Sequence, residues 1–387
     1  MKMHPFPEGY CKCLLLGALA FAMTASAQKA QWLQYHTTRD GRGFQHLDLT
    51  TVAPRDVALP KFNARPYFAH WSTPMDPKGR WICFDRTRRS GPYDIAYLDS
   101  KGDGRLDDKT PLKANRIDQY YAYFDSARIV FKGEDGPVTY HLGFQFMKYD
   151  ERNTRLYLRS DGYYEGMVDL GGKKKHIELI DANVNGTFND RALEPSDCDC
   201  VAVDGDKVGE RYLGKLLEIG DQIYRIEVAR DGAFVKVQKA DDLVLGSVRI
   251  PEGISEFVAF GENGHFVRKA VKGEFKLPVG KYQVHSWTIS RKDSRGASWQ
   301  LTGEGSPDSP RFDVASDKPA VLDTGEPVRA VMRHDDATNP VSFDLAFKGK
   351  LNETVAIRKG DQNPPGPKLV LASLDGTYRV TNTFEFG

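Results

Sequence analysis

Two short acidic segments carry the residue types that bind hard cations. The first covers residues 99–108 and the second residues 181–190. In each segment, carboxylates or amides recur near alternate positions, and a glycine at the sixth position permits a sharp reversal of the chain. Calcium takes six or more oxygen ligands, which such a loop can supply. The candidate ligands are Asp99, Asp103, Asp107 and Asp108 in the first segment and Asp181, Asn183, Asn185, Asn189 and Asp190 in the second.

The two segments align as copies of one unit. Residues 93–99 match residues 175–181, and the alignment continues without a gap through both turns, so that Asp103 falls on Asn185 and Gly104 on Gly186. Leu106 falls on Phe188, and we expect both side chains to anchor their loops in a core. The match predicts an internal repeat between about residue 80 and residue 240.

The two loops differ in charge and in completeness. The first places Lys101 at the third position, where a ligand is expected, and neither loop has an acid at the twelfth, where Thr110 and Ala192 stand. By charge count, the four aspartates of the first loop favour calcium more than the two of the second. The alternative is a pair of ordinary Asp-Gly and Asn-Gly turns without metal. Because the two turns align in one register, we favour calcium binding over metal-free turns.

Both segments resemble the first nine or ten positions of EF-hand-like calcium loops, as found in EF-hands and dockerins. The resemblance implies Ca²⁺ as the bound ion, with the weak affinity of extracellular modules. Strand patterns precede both loops, so we do not expect a helix-loop-helix unit. The resemblance implies nothing about a partner or a pathway.

The sequence contains no catalytic motif that we can identify. It lacks a G-x-S-x-G elbow, an H-E-x-x-H zinc motif, a Walker loop and a G-x-G-x-x-G turn after a strand. We therefore predict a non-enzymatic binding or scaffolding protein. The alternative is a secreted glycoside hydrolase or protease, whose catalytic acids would be distant in sequence. The net charge of +1, from 54 basic and 53 acidic side chains, argues against nucleic acid as a partner and leaves polysaccharide or another exported protein.

The first 27 residues have the pattern of a signal peptide. Lys2 and Lys12 precede an apolar run over residues 14–23, which closes on the small residues 25–27. The run has about ten residues, whereas a membrane-spanning helix needs about 20. We expect cleavage after Ala27, no membrane anchor afterwards, and a periplasmic or extracellular protein.

The mature chain keeps three cysteines, Cys83, Cys198 and Cys200. Cys198 and Cys200 are too close in sequence for an unstrained mutual disulfide. In an oxidising compartment we expect Cys83 to pair with one of them. A zinc site is the less favoured alternative, because no histidine stands at ligand spacing.

The remaining pattern predicts an all-β protein, with a repeated unit forming a sandwich or barrel and then a C-terminal β-sandwich. Only residues 113–124 suit a helix as well as a strand. Residues 273–284 resemble the turn of prealbumin-like and carboxypeptidase-regulatory-like sandwiches. We divide the mature chain into residues 28–245 and 246–387, with a possible further division near residue 325. The clearest strand patterns cover residues 128–131, 139–146, 155–158, 222–228 and 233–237.

Overall fold

A computed structural model describes residues 29–38, 41–133, 136–206, 211–335 and 341–385. The regular structure of these residues is β-strand apart from one 3-10 turn at Pro195–Asp197, which confirms the all-β prediction. Residues 113–124, which suited either element, contribute to two strands. The predicted signal peptide lies outside the described residues. Within them, no helix has the length and apolar character to span a membrane.

Sixteen strands form the N-terminal part of the chain. Apolar residues alternate with polar ones along most of them, so each strand buries one face. They are β1 (Gln31–Trp32), β2 (Gln34–Thr37), β3 (Gly43–Asp48), β4 (Tyr67–Thr73), β5 (Asp76–Asp85), β6 (Ile95–Leu98), β7 (Leu112–Ile117), β8 (Tyr121–Gly133), β9 (Gly136–Lys148), β10 (Thr154–Ser160), β11 (Gly162–Asp169), β12 (Lys174–Ile180), β13 (Cys200–Val203), β14 (Leu216–Ile219), β15 (Gln222–Val228) and β16 (Phe234–Lys239).

These strands form one large sheet and two small ones. The large sheet has the order β3-β10-β9-β8-β7-β6-β5-β4, and the small sheets have the orders β13-β12-β11-β2 and β1-β16-β15-β14. The backbones of Thr50 and Phe68 exchange two hydrogen bonds, of 2.9 and 2.8 Å, between the edges of the large sheet. The large sheet is therefore barrel-like and nearly closed. Apolar residues of all three sheets share one core, which includes Trp71, Phe131 and Tyr140.

Thirteen further strands follow in the described C-terminal part. They are β17 (Leu245–Arg249), β18 (Glu256–Gly261), β19 (Gly264–Lys269), β20 (Glu274–Pro278), β21 (Gly280–Lys292), β22 (Ser298–Glu304), β23 (Arg311–Val314), β24 (Ala320–Val321), β25 (Arg329–Asp335), β26 (Ser342–Lys348), β27 (Thr354–Lys359), β28 (Lys368–Ala372) and β29 (Arg379–Thr383). The sheet orders are β20-β17-β24, β19-β18-β21-β22-β27-β26-β25 with β23 beside β21, and β28-β29.

The composition of the sheets can be compared with the domain boundaries predicted near residues 245 and 325. Each sheet takes its strands either from residues up to 239 or from residue 245 onward. β25 and β26, which follow residue 325, belong to the sheet that contains β21 and β22, so this sheet extends across the possible division near residue 325. The turn within residues 273–284 joins β20 to β21, which lie in different sheets rather than pairing as a hairpin. The division of the chain into domains stays a prediction.

The prediction that Cys83 forms a disulfide with Cys198 or Cys200 is wrong, because all three cysteines are free thiols in the structure. Cys83 lies in β5 and packs in a small cluster with Phe68 and Leu106. The other two lie at β13, in a different sheet. Cys198 Sγ accepts a hydrogen bond from the N–H of Ala192 at 3.0 Å. Burial raises the pKa of Cys198 and Cys200 to about 12, so both thiols stay protonated at neutral pH.

Candidate metal site

Each acidic loop begins with an aspartate whose carboxylate organises the backbone of the turn. Asp99 follows β6 and accepts the N–H groups four and five positions later, at 3.1 and 2.9 Å. Asp181 follows β12 and accepts the corresponding N–H groups at 3.1 and 2.7 Å. Both aspartates are buried, with 2% and 0% of their surface exposed. The register found in the sequence therefore extends to individual hydrogen bonds.

The glycine and the apolar residue of each loop have the roles that the pattern predicts. Gly104 and Gly186 have φ angles of 72° and 84°, in the left-handed region that favours glycine. Leu106 and Phe188 are 0% and 1% exposed, so both anchors are confirmed as core residues. The two turns are therefore held by the same backbone geometry and the same inward side chain.

In the first loop, basic side chains of the same turn neutralise the acids. Lys109 Nζ lies 3.1 Å from both oxygens of Asp103 and 2.9 Å from Asp108 Oδ1. Arg105 Nη2 lies 2.9 Å from Asp107 Oδ2. Partial desolvation opposes ionisation of Asp103, but hydrogen bonds from Lys109 and the Arg105 N–H lower its pKa overall. Three of the four predicted ligands are thus already paired with cations of the protein.

A buried arginine also engages the carbonyl groups of the first loop. Arg80 is 2% exposed, and its Nη1 donates to the carbonyl oxygens of Asp99 and Ser100 at 3.3 and 2.5 Å. Its Nε donates to Asp76 Oδ2 at 3.0 Å. The guanidinium therefore donates hydrogen bonds to backbone carbonyl oxygens at the start of the loop, next to the predicted ligands.

The second loop places Asp181, Asp190 and Asp199 near one another without a basic partner, but their carboxylate oxygens do not all come within 4.8 Å of one another. Asp199 precedes β13, is 0% exposed, and accepts the N–H groups of Asp190 and Ala182 at 2.8 and 3.3 Å. Asp181 accepts a further hydrogen bond from the Tyr140 hydroxyl at 2.8 Å. Within the described part of the chain, no salt bridge reaches Asp181, Asp190 or Asp199. Two of these acids are therefore buried without a compensating cation.

The amides of the second loop converge on the half-buried Asp190. Its Oδ2 accepts hydrogen bonds from Asn183 Nδ2 at 3.2 Å, Asn185 Nδ2 at 2.6 Å and Thr187 Oγ1 at 2.6 Å. The other amide atom of Asn183, Oδ1, is buried and has no hydrogen-bond partner. Among the described residues, the side chain of Asn189 forms no hydrogen bond with this group. The loop thus holds one buried oxygen that is available to a cation.

The buried position of the second loop disfavours ionised carboxylates. Burial raises the pKa of Asp181 to about 7; hydrogen bonds from the Gly186 N–H and the Tyr140 hydroxyl oppose the shift, and the charge of Asp190 adds to it. Burial, with the charges of Asp181 and Asp190, raises the pKa of Asp199 well above its ordinary value. A buried carboxylate needs a proton or a cation to offset its desolvation. A bound divalent ion would meet that need.

Asp199 and Thr187 belong to this group, but the sequence pattern did not indicate them. Asp199 lies nine positions after Asp190, between Cys198 and Cys200. The available signal was an acid between two apolar thiols at the start of a buried strand, because such an acid is forced into the interior. That signal alone does not identify Asp199 as part of the site, because only the tertiary structure shows that Asp199 contacts residues 181–190.

Two surface clefts bear on the hydrolase alternative. A cleft of about 900 Å³ next to β8 and β9 is lined by Arg116 and Arg159, with Asp125 as its one acidic lining residue among those described. A second cleft of about 630 Å³ contains Asp206, Glu218 and Glu256. Asp206 pairs with Arg211 at 3.0 Å and Glu218 with Arg268 at 2.6 Å, whereas Glu256 has no ion pair among the described residues. Glycoside hydrolysis uses two carboxylates that flank the scissile bond, and each cleft offers at most one acid that is not already paired with an arginine.

Comparisons with protein-family models, curated proteins and solved structures found no match to this chain.

Proposed function

We propose that the chain is a non-catalytic β protein with a calcium site in its second acidic loop, and that it binds or scaffolds a partner outside the cytoplasm. One observation carries the proposal: Asp181 and Asp199 are fully buried, and no basic side chain of the described residues pairs with them. The role outside the cytoplasm depends on the export predicted from residues 1–27. A polysaccharide or another exported protein is the class of partner we favour.

The ligand set favours calcium over softer metals. Carboxylates of Asp181, Asp190 and Asp199 and the amide oxygen of Asn183 are hard oxygen donors, which calcium prefers. Calcium also tolerates irregular geometry, and water can complete its shell in a loop that is not fully buried. The nearest thiol, Cys198, is a protonated hydrogen-bonding group rather than a thiolate ligand.

The contacts reverse the ranking that the charge count suggests. In the first loop, Lys109 already lies between Asp103 and Asp108, so a calcium ion would first have to displace it. In the second loop, the aligned position is Arg191, whose Nη2 instead donates to the carbonyl oxygen of Ile226 at 2.7 Å. We therefore assign the stronger calcium site to the second loop, and we infer that the first is stabilised by its own lysine.

Calcium that binds only the folded state raises stability with the logarithm of one plus the ratio of its free concentration to the dissociation constant. The test is the Tm of the full chain in about 1 mM calcium and in chelator. We expect calcium to raise the Tm by a few degrees at most, because about 1 mM is about one to ten times the dissociation constant of extracellular calcium modules, which corresponds to a gain of about 0.4 to 1.4 kcal/mol.

The matched variants are Asp190→Asn in the second loop and Asp108→Asn at the aligned position of the first. We expect Asp190→Asn to abolish the difference between calcium and chelator, and Asp108→Asn to keep it. A calcium effect that is absent in the wild type, or that disappears in Asp108→Asn alone, would contradict the assignment.

A further inference from the structure

A second group of ligand-type side chains lies on the accessible face of the sheet β13-β12-β11-β2. Glu165 belongs to β11, and His176 and Glu178 belong to β12. One ligand atom from each of these three residues lies within 4.8 Å of the other two. Backbone pairing places Glu165 directly opposite Glu178. Like charges in that arrangement destabilise a sheet unless basic groups or a cation lie beside them.

The imidazole of His176 lies between the two carboxylates. Its Nε2 is 3.1 Å from Glu165 Oε2, and its Nδ1 is 3.9 Å from Glu178 Oε1. Ligands of a tetrahedral zinc ion with bonds of about 2.0 to 2.1 Å are separated by about 3.3 Å. The two distances on the sheet involve different ring nitrogens, and only one of them can ligate a given ion, so the imidazole must rotate for the site to form. One ligand atom from each of the three residues already lies within 4.8 Å of the other two, which leaves a short movement to a common ion.

The outer oxygen of each carboxylate is held by a second basic side chain. His36 Nε2 lies 3.3 Å from Glu165 Oε1, and Arg42 Nη1 lies 3.1 Å from Glu178 Oε2. Each glutamate therefore has one oxygen fixed from outside and turns the other toward His176. Orientation of ligating carboxylates by neighbouring donors is a feature of metal sites, where it tunes affinity.

The group is open to solvent. The side chains of His176, Glu165 and Glu178 are 36%, 26% and 18% exposed, so an ion can enter without opening the fold. We propose that His176, Glu165 and Glu178 bind a divalent transition metal such as zinc, with His36 and Arg42 as positioning residues. One nitrogen and two carboxylates suit zinc and distinguish this site from the all-oxygen site of the second loop.

The test is a titration with zinc chloride, followed by calorimetry, of the full chain prepared without a polyhistidine tag and saturated with calcium. We expect one zinc ion per chain at this site. His176→Ala should weaken zinc binding by at least about tenfold, and His36→Ala by about tenfold, as for residues that orient ligands. The matched control is His46→Ala, an exposed strand histidine in β3, which should leave the affinity unchanged.

A second readout separates binding from folding. Cobalt bound in place of zinc should give a visible absorption band that His176→Ala removes, while the Tm of that variant in chelator stays close to the wild type. The proposal is overturned if wild-type protein binds no zinc, if His176→Ala binds zinc as the wild type does, or if His46→Ala loses as much affinity. The same titration of Asp190→Asn should be unchanged, so loss of the calcium site and loss of the zinc site are distinguishable.

Discussion

The two acidic loops have the same backbone conformation, but different groups offset the charge of their acids. Each begins with an aspartate that binds two N–H groups of its own turn, and each buries an apolar anchor. The first offsets its charge with Lys109, whereas the second places Asp199 beside Asp181 and Asp190 without a basic partner among the described residues. The number of acids in a loop is therefore a poorer guide to a cation site than the groups already paired with those acids.

The largest effect should come from removing the anchor of the second loop. Phe188 is 1% exposed and contacts the rings of Tyr164 and Tyr140, with centroids 5.1 and 6.5 Å apart. We expect Phe188→Ala to lower the free energy of unfolding by about 3 to 5 kcal/mol, and Leu106→Ala by about 2 to 5 kcal/mol. Urea unfolding measures both losses.

The calcium response separates the two anchor variants. Phe188→Ala should also weaken calcium binding, because it loosens the turn that carries the ligands, whereas Leu106→Ala should leave calcium binding intact. An equal calcium response in the two variants would mean that the second loop is not the site.

Sequence reasoning predicted the all-β fold, the common register of the two turns and the roles of Gly104, Gly186, Leu106 and Phe188, because these follow from local pattern and alternation. The repeat between about residue 80 and residue 240 stays a prediction. It could not predict what pairs with the acids. Lys109 is adjacent to the first loop in sequence, but its position between two carboxylates depends on side-chain geometry. Asp199 reaches the second loop through strand pairing, which no local pattern encodes. The disulfide prediction was wrong for the same reason: Cys83 and the two other thiols lie in different sheets.

Metal-free stability should fall as pH rises, because the pKa of Asp181 is raised. An unfolded aspartate releases its proton near pH 3.9, whereas folded Asp181 keeps it up to about pH 7. The folded state therefore holds more protons between these values, and its stability decreases across that interval. Calcium competes with those protons, so the Tm gained with calcium should be larger at about pH 8 than at about pH 5.

The pH series has an internal control in Asp190→Asn, for which the Tm with and without calcium should coincide at both pH values. A calcium-dependent gain in the wild type that is the same at both values would exclude Asp181 as a group that exchanges its proton for the ion.

The smallest effect on stability should come from replacing Lys109, which pairs with the acids of the first loop. Lys109→Gln removes the partner of Asp103 and Asp108, whose side chains are 36% and 40% exposed, so we expect a loss of at most about 1 kcal/mol. The same change should create a second calcium site. Calorimetry of Lys109→Gln should therefore show two calcium ions per chain. A stoichiometry that stays at the wild-type value would show that the lysine is not what excludes calcium from the first loop.

The most direct measurement of the central claim is the number of calcium ions bound to the wild-type chain, by calorimetry or equilibrium dialysis, together with the matched variants Asp190→Asn and Asp108→Asn. The account predicts one ion for the wild type, none for Asp190→Asn and one for Asp108→Asn. Two ions in the wild type, or retention of the ion by Asp190→Asn with its loss in Asp108→Asn, would contradict it.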